Sequence, residues 1–376
     1  MAAMTTTTPP GTDAVLPTVR AELLDCVQSN LAVLADRGYG AGTHLALGAT
    51  LRFRPSPGPA ALPTVEPPLT AELAGIGRLG LAEAARLHRP DRDALVELAR
   101  EYGTVYVLAD AYDMPWLPYH GRRRMEHSYL VEYAPDAAQV TDAYHNRTPW
   151  GTAEPQRLRT GWDRLPATSL ALALVPASAG VPDLPPALDL GPADGYLAAY
   201  ADHPDRVTAL ERLTVETWLL ARSRKLHAAF RARYGLPCGA QGEEQLRRWD
   251  RLAEQTFLAL RRVKRGRPEP QRLLGDLAAV LAADRTVFAL PGGPAGDGLR
   301  ATVARVVASV TGCAPETVLR SGDLTELPGF DSFRVVEIVE RLEEHLGTAF
   351  DPEDLLPENL HRLDDLCRLA ATRGRA

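Results

Sequence analysis

The sequence predicts an α+β domain with a helical extension, followed by a short linker and an all-α domain of four helices. Three observations support this prediction. They are short β-branched apolar segments between 104 and 141, Arg-bearing amphipathic helices between about 192 and 281, and a Pro/Gly-rich segment at 290–297. The 376 residues are too many for one small core and suit two or three domains.

The predicted domain boundaries follow these changes in pattern. They are a disordered leader at 1–13, a first domain at 14–190, its helical extension at 191–289, a linker at 290–297 and a C-terminal domain at 298–376. Hydrophobic residues make up 45% of the chain and charged residues 24%, which excludes a wholly disordered or fibrous protein.

Within the first domain, the expected order is a helix near 19–37, a mobile Pro-rich loop from Pro55 to Pro68, further helices and then three strands. The strands are predicted at 104–109, 128–133 and 138–141, and the last two are joined by a hairpin turn at 134–137.

Charge and cysteine usage limit the partners. A net charge of −6 argues against nucleic acid, and no run of about 18 apolar residues exists to span a membrane. The widely spaced cysteines, without a CxxC motif, predict no disulfide framework and no metal site; they are Cys26, Cys238, Cys313 and Cys367. The N-terminus lacks a signal-peptide layout, so we expect a cytoplasmic protein, where a free cysteine can be catalytic.

The C-terminal unit contains an Asp331-Ser332 pair after a Leu-Pro-Gly-Phe loop, then a helix with an apolar face. This layout resembles acyl or peptidyl carrier proteins, whose four-helix domain bears 4'-phosphopantetheine on this serine. The resemblance implies attachment at Ser332 by a phosphopantetheinyl transferase. The sequence has Phe333 where the family usually has Leu or Met. The alternative is that Asp331-Ser332 is only a helix cap.

Cys26 lies at a predicted helix start. Asp25 is a plausible N-cap, and Gln28, three residues later, can complete a capping box. The N-terminus of a helix lowers the pKa of a thiol, although Asp25 opposes this unless its carboxylate is committed to the cap. Taken alone, Cys26 is better explained as a buried, inert thiol.

A cysteine nucleophile needs a base and a group that orients the base. His127 precedes one predicted strand, and Asp142 ends the next, so the hairpin brings the two side by side. His120 and His145 flank the hairpin and are alternative bases.

This order of Cys, His and Asp is similar to papain-like cysteine peptidases and closer to the BtrH-like acyltransferases of butirosin biosynthesis. Segments 40–53 and 107–120 add to the second resemblance. It implies a papain-like fold and makes Asp110, Tyr112 and Tyr119 candidates for the substrate cleft. The backbone N–H of Cys26 and the side chains of Gln28 and Asn30 are the oxyanion candidates, because Arg20 stands where papain-like peptidases often have Gln.

Together these features predict an enzyme. It would transfer an acyl or aminoacyl group from a phosphopantetheine thioester to an amine, through an acyl-cysteine intermediate, in antibiotic or other secondary metabolism. The expected partners are a loading enzyme or a separate carrier protein and a small-molecule amine acceptor. Three alternatives stay open: condensation between two carrier-bound groups, a cysteine peptidase or thioesterase, and a non-catalytic carrier scaffold.

Overall fold

The computed structural model describes residues 12–289, 297–346, 350, 355 and 360–371. The chain forms two compact units, residues 1–280 and 281–376. The division falls inside a helix, and residues 290–296 of the expected linker lie outside the described residues. No described helix is long and apolar enough to cross a membrane.

The strands of the first unit are β1 (Thr50–Phe53), β2 (Ser56–Pro57), β3 (Pro63–Thr64), β4 (Leu81–His88), β5 (Thr104–Asp110), β6 (Glu126–Ala134), β7 (Ala137–Asp142), β8 (Asn146–Thr148), β9 (Gly151–Ala153), β10 (Gln156–Thr160), β11 (Thr168–Pro176) and β12 (Ala187–Leu190). Six of them form one antiparallel sheet in the order β10-β7-β6-β5-β11-β4.

The helices that lie in or begin in this unit are α1 (Thr12–Val15), α2 (Gln28–Tyr39), α3 (Leu69–Ala74), α4 (Arg92–Tyr102), α5 (Asp194–Asp202), α6 (Arg206–Arg233), α7 (Gly239–Val263) and α8 (Leu273–Val287). The long helices predicted after residue 192 are therefore confirmed.

Both faces of the six-stranded sheet are covered by helices. In β5, Tyr106 and Leu108 pack with α2, whereas Val105 and Val107 pack with α4 on the opposite face. Successive side chains of a strand point to opposite faces, so a strand buried on both sides is apolar throughout. This explains why the segment 104–109 was recognisable as a strand, and the hairpin at 134–137 is also confirmed, with Ala134 paired to Ala137.

The helices expected between the Pro-rich loop and the predicted strand at 104–109 do not include the segment 81–88, although it is rich in good helix formers. It is instead the edge strand β4, paired along its length with β11 from Leu81–Pro176 to His88–Leu170. The tertiary pairing overrides local helix propensity here.

The N-terminal boundaries also differ from the prediction. The helix expected near 19–37 begins only at Gln28, because residues 16–18 and 21–23 form two 3₁₀ turns. Residues 1–11 of the predicted leader lie outside the described residues. Thr12, however, is buried in α1 and donates a hydrogen bond to Glu132 at 2.8 Å, so it belongs to the folded unit.

The end of the Pro-rich segment is anchored rather than mobile. The buried carboxylate of Glu216 on α6 accepts hydrogen bonds from the Thr64 hydroxyl at 2.7 Å and the Val65 N–H at 2.6 Å. Arg212, on the same helix, bonds to Glu66 at 2.7 Å. These contacts fix the chain just before α3.

The second unit continues with α9 (Asp297–Thr311), α10 (Pro315–Ser321), α11 (Ser332–Leu346) and α12 (Leu363–Ala371). Its core includes Val303, Val307, Ile338, Leu342 and Leu366. The apolar face predicted for α11 is therefore buried. Of residues 350–356, only Phe350 and Leu355 are described, and both contribute to this core.

Candidate active site

The turn before α2 places Cys26 at the entrance of the helix. Oδ1 of Asp25 accepts the N–H groups of Val27 at 2.9 Å and Gln28 at 2.8 Å. In return, Oε1 of Gln28 accepts the Asp25 N–H at 3.4 Å. This reciprocal pattern is the predicted capping box, and Cys26 follows its first residue.

Cys26 contacts Glu126 and Ser128, the two residues that flank His127 at the start of β6. Its thiol lies 3.6 Å from the carbonyl oxygen of Glu126, and its own carbonyl accepts the Ser128 hydroxyl at 2.5 Å. Cys26 is half-buried as a whole residue and packs against the apolar residues on both faces of the sheet. The structure therefore brings Cys26 to the end of β6 where His127 lies.

His127 and Asp142 form a buried pair. Nε2 of His127 lies 2.9 Å from Oδ2 of Asp142, and both side chains are almost completely inaccessible. Thr141 pairs with Leu130 in the β6–β7 ladder. With this register, His127 and Asp142 are diagonal neighbours on one face rather than directly opposite each other. Their proximity agrees with the expectation from the hairpin, in which two strands are joined by a short turn.

Further contacts fix the orientation of this pair. Trp116 donates its indole N–H to Oδ2 of Asp142 at 3.0 Å, and the Tyr144 N–H bonds to Oδ1 at 3.1 Å. The Tyr144 ring packs edge-on against His127, with ring centres 5.2 Å apart. Because a carboxylate accepts hydrogen bonds, the contact with Asp142 favours the tautomer of His127 that has its proton on Nε2 and a lone pair on Nδ1.

Nδ1 of His127 is buried and has no hydrogen-bond partner among the described residues. Buried polar atoms are usually paired, and an unpaired one at a candidate site is a feature that substrate binding or proton transfer can explain. Of the three histidines considered as bases, only His127 contacts a carboxylate within the described part of the chain.

The electrostatics of Cys26 differ from the prediction. Burial raises the pKa of the Cys26 thiol well above its usual value, and the neighbouring Asp25 and Glu72 raise it further. The expected lowering by the helix N-terminus is outweighed, because acidic side chains surround the thiol and desolvation disfavours the thiolate. Cys26 is therefore a neutral thiol in the free protein, and it needs a base to become a nucleophile.

The oxyanion candidates have different surroundings. Asn30 is wrong as a donor: its Nδ2 bonds to the Ser128 carbonyl at 2.9 Å and its Oδ1 accepts the Ala143 N–H at 3.0 Å, and the residue is fully buried. Gln28 is part of the capping box through its oxygen. The Gln28 amide nitrogen and the Cys26 N–H stay predicted donors. Arg20, whose side chain pairs with Glu22, does not replace the missing Gln.

The cleft candidates are largely engaged in the protein. Asp110 accepts the N–H groups of Tyr112 at 3.0 Å and Met125 at 3.1 Å, and it pairs with Arg124. Arg124 also stacks on the Tyr112 ring. Tyr119 is wrong as a cleft residue because it is buried, with its hydroxyl 3.4 Å from that of Tyr144. Asp110 and Tyr112 are partly exposed beside Glu126, and their substrate role stays a prediction.

Sequence reasoning missed Glu72. Its carboxyl lies against that of Asp25, and one of its oxygens, Oε1, is buried with no hydrogen-bond partner among the described residues. Burial raises the pKa of Glu72 well above its usual value, and Asp25 adds to the effect. No local motif in the sequence indicates this contact, because it joins α3 to a turn far earlier in the chain.

In the second unit, α11 begins at Ser332. Oδ1 of Asp331 accepts the N–H groups of Phe333 at 3.0 Å and Arg334 at 2.9 Å, so Asp331 caps the helix. Asp331 is exposed, and the Phe333 side chain is 88% exposed. The residues on either side of Ser332 therefore face solvent, where a modifying enzyme can reach them.

Comparison with known protein families identifies the second unit. Residues 301–370 match the family described as a phosphopantetheine attachment site. This region is thus a carrier domain, to which 4'-phosphopantetheine is attached covalently on a serine. Carrier domains are modified by phosphopantetheinyl transferases and interact with loading enzymes, which places the protein among those that handle thioester-bound intermediates. No curated protein matches the chain.

Proposed function

We propose that the first unit is a papain-like cysteine acyltransferase, which moves an acyl or aminoacyl group from a phosphopantetheine thioester to an amine. The observation that supports this is the position of Cys26, whose thiol lies 3.6 Å from the carbonyl oxygen of Glu126, the residue before His127 of the buried His127–Asp142 pair. Nδ1 of His127 has no hydrogen-bond partner among the described residues. The arrangement supplies a nucleophile, a base and an orienting group.

The donor half-reaction follows from the protonation states. Nδ1 of His127 removes the proton of the Cys26 thiol, and the sulfur attacks the carbonyl carbon of the thioester. The bond between this carbon and the donor sulfur then breaks, and the departing thiolate takes the proton from His127. Asp142 keeps the ring in one orientation and stabilises the imidazolium formed in between.

In the acceptor half-reaction, the lone pair of the amine forms a bond to the carbonyl carbon of the acyl-cysteine. His127 takes a proton from the attacking nitrogen and returns it to Cys26 as the carbon–sulfur bond breaks. The Cys26 N–H and the Gln28 amide are the donors proposed for the oxyanion. Transfer between two thiols is nearly balanced in energy, so amide formation drives the route forward.

We further propose Ser332 as the serine that carries the cofactor, whose terminal thiol holds acyl groups as thioesters. Ser332 follows the helix cap and is flanked by exposed residues. The other serines of the matched region bond to backbone carbonyls, Ser309 to Val306 and Ser321 to Asp323, each at 2.7 Å. These contacts leave Ser332 as the best candidate.

The fused carrier domain favours a transferase over a peptidase, because peptide hydrolysis has no need of a thioester arm. Condensation of two carrier-bound groups differs only in where the amine is held. A thioesterase would use the same residues with water as the acceptor.

The test combines mass spectrometry with variants. The protein is incubated with an N-acyl cysteamine thioester, and peptide mapping locates the acyl group. We expect it on Cys26 in the wild type and absent in Cys26→Ala, while Cys238→Ala, a matched change at another half-buried cysteine, behaves as the wild type. Adding an amine should discharge the acyl-enzyme much faster than water does. Acyl transfer by Cys26→Ala at the wild-type rate would exclude this function.

A further inference from the structure

Two carboxyl groups meet beside the candidate nucleophile. Asp25 precedes Cys26 in the chain, and Glu72 reaches it from α3, so that the two side chains share a hydrogen bond. The N–H groups of Val27 and Gln28 both bond to Oδ1 of Asp25, which leaves Oδ2 available to Glu72. Two carboxyls can share a hydrogen bond only when one of them carries a proton.

The surroundings of this pair are acidic. The negative charges of Glu66 and Glu126 raise the pKa of Glu72, and the negative charge of Asp142 raises the pKa of Cys26. The cation acting on Asp25 is Arg222, but its guanidinium donates hydrogen bonds to the carbonyl oxygens of Ala21, Leu24 and His145. The excess negative charge beside Cys26 is therefore not cancelled by an ion pair with Arg222.

Burial raises the pKa of both carboxyls, more strongly for Glu72, and this favours a form of the pair in which a proton is shared. Two buried carboxyl groups in contact are stabilised when one positive charge lies between them. A proton supplies this charge in the free protein, and an ammonium group would supply it in a complex.

The fold holds Glu72 in place for such a role. The segment before α3 is fixed by Glu216 through Thr64 and Val65, and Arg212 holds Glu66. On the other side, the capping box fixes Asp25. Both carboxyls thus keep their positions without a ligand, which lowers the cost of binding one.

We propose that Glu72, together with Asp25, binds the ammonium group of the acceptor and removes its first proton. This inference rests on the proposed acyl transfer and specifies its substrate as a cationic amine. Oε1 of Glu72 is the atom that would receive the N–H, since it is buried and unpaired among the described residues.

The ammonium replaces the proton shared by the two carboxyls, which leaves to solvent. The bound ammonium then gives one proton to Glu72 and becomes a neutral amine, whose lone pair forms the carbon–nitrogen bond. His127 takes the second proton and delivers it to the Cys26 sulfur as the carbon–sulfur bond breaks. Glu72 keeps the proton that it took from the ammonium, which restores the shared proton of the carboxyl pair in the free protein.

The first experiment separates the two half-reactions in Glu72→Gln. Glutamine can still donate a hydrogen bond to Asp25, so the variant should melt as the wild type does. We expect acyl-enzyme formation to be no slower than in the wild type. Discharge by butane-1,4-diamine should lose about 10- to 100-fold in kcat/KM, a usual effect of removing one partner of a buried charge pair. Discharge by hydroxylamine, which is uncharged at neutral pH, should be unchanged.

The control is Glu22→Gln, which removes the same charge from an exposed residue paired with Arg20. It should discharge both nucleophiles at the wild-type rate. Equal losses for the diamine and hydroxylamine in Glu72→Gln would show a structural role only and overturn the inference, as would no loss for either.

A second measurement does not depend on acyl transfer. The rate of Cys26 alkylation by iodoacetamide, followed by peptide mapping, should change saturably with butane-1,4-diamine. The half-effect concentration should rise at least about tenfold in Glu72→Gln, and butane-1,4-diol should have no such effect. If the wild type forms no acyl-enzyme, the proposed function fails. If the diamine acts equally on both proteins, or not at all, the ammonium site fails.

Discussion

Nε2 of His127 lies 2.9 Å from Oδ2 of Asp142, and this contact determines which nitrogen of the ring is available for chemistry. The carboxylate favours the proton on Nε2, which makes Nδ1 the base in the proposed reaction. Oδ2 accepts a second hydrogen bond, from the indole of Trp116. The Asp142 side chain is therefore held in place by its contacts with both His127 and Trp116.

Replacing Asp142 should affect transfer less than replacing His127. In Asp142→Asn, the amide oxygen can still accept from Trp116 and His127, but the amide nitrogen then faces the Tyr144 N–H and the carboxylate charge is lost. We expect a loss of about 10- to 100-fold, equivalent to about 1.4–2.7 kcal/mol. His127→Ala removes the base and should cost about 10²- to 10⁴-fold. Single-turnover discharge of the thioester measures both. A larger loss for Asp142→Asn than for His127→Ala would contradict this assignment of roles.

The pH dependence of Cys26 reactivity should show a protonated thiol. Burial and the adjacent carboxylates raise the pKa of Cys26, so thiolate forms only above the ordinary cysteine range of about 8.5. Alkylation by iodoacetamide should therefore be slow at neutral pH and rise steeply at higher pH. Glu72→Gln should shift the curve to lower pH, because a neighbouring acid is removed. A plateau of high reactivity below neutral pH would instead reveal a preformed thiolate–imidazolium pair.

Asn30 should be important for stability rather than for the oxyanion. Its side chain joins α2 to Ser128 at 2.9 Å and to the Ala143 N–H at 3.0 Å, in a fully buried position. Asn30→Ala leaves these backbone groups without partners, which should cost about 2–4 kcal/mol in the free energy of unfolding. Urea denaturation measures it. Asn146→Ala, a half-buried residue that donates to the Tyr119 hydroxyl, is the control and should cost less.

A second histidine–aspartate pair should be structural. Nδ1 of His44 lies 2.8 Å from Asp36, and its Nε2 accepts the Arg20 N–H at 3.2 Å, so both ring nitrogens are occupied. We expect His44→Ala to lower stability by about 1–3 kcal/mol and to leave single-turnover transfer by the folded protein unchanged. A loss of transfer comparable to that of His127→Ala would show that the wrong pair has been assigned.

Modification of the carrier domain should depend on Ser332. Incubation with a promiscuous phosphopantetheinyl transferase and coenzyme A should add one arm to the wild type and none to Ser332→Ala, as intact mass will show. Ser321→Ala is the matched control and should be modified normally. Phe333→Leu should also be modified, and its stability should change by less than about 0.5 kcal/mol, because the side chain is 88% exposed. An arm found on Ser321 would refute the assignment.

The features that the sequence predicted correctly are those determined by neighbouring residues. The capping box at Asp25 and Gln28 depends on a three-residue spacing, and the helix start at Ser332 depends on the preceding Asp331. The strand Thr104–Asp110 is apolar because both of its faces are covered. Short turns and caps have specific residue requirements, so a sequence alone can determine them.

The tertiary structure determined what depends on residues far apart in the chain. The segment 81–88 is a strand because β11 pairs with it, against its own helical propensity. Asn30 is structural because β6 and β7 surround it. The pKa of Cys26 is raised rather than lowered because folding buries the thiol and brings Glu72 beside it. Desolvation and long-range contacts exist only in the folded chain, and they outweigh the local effect of the helix N-terminus.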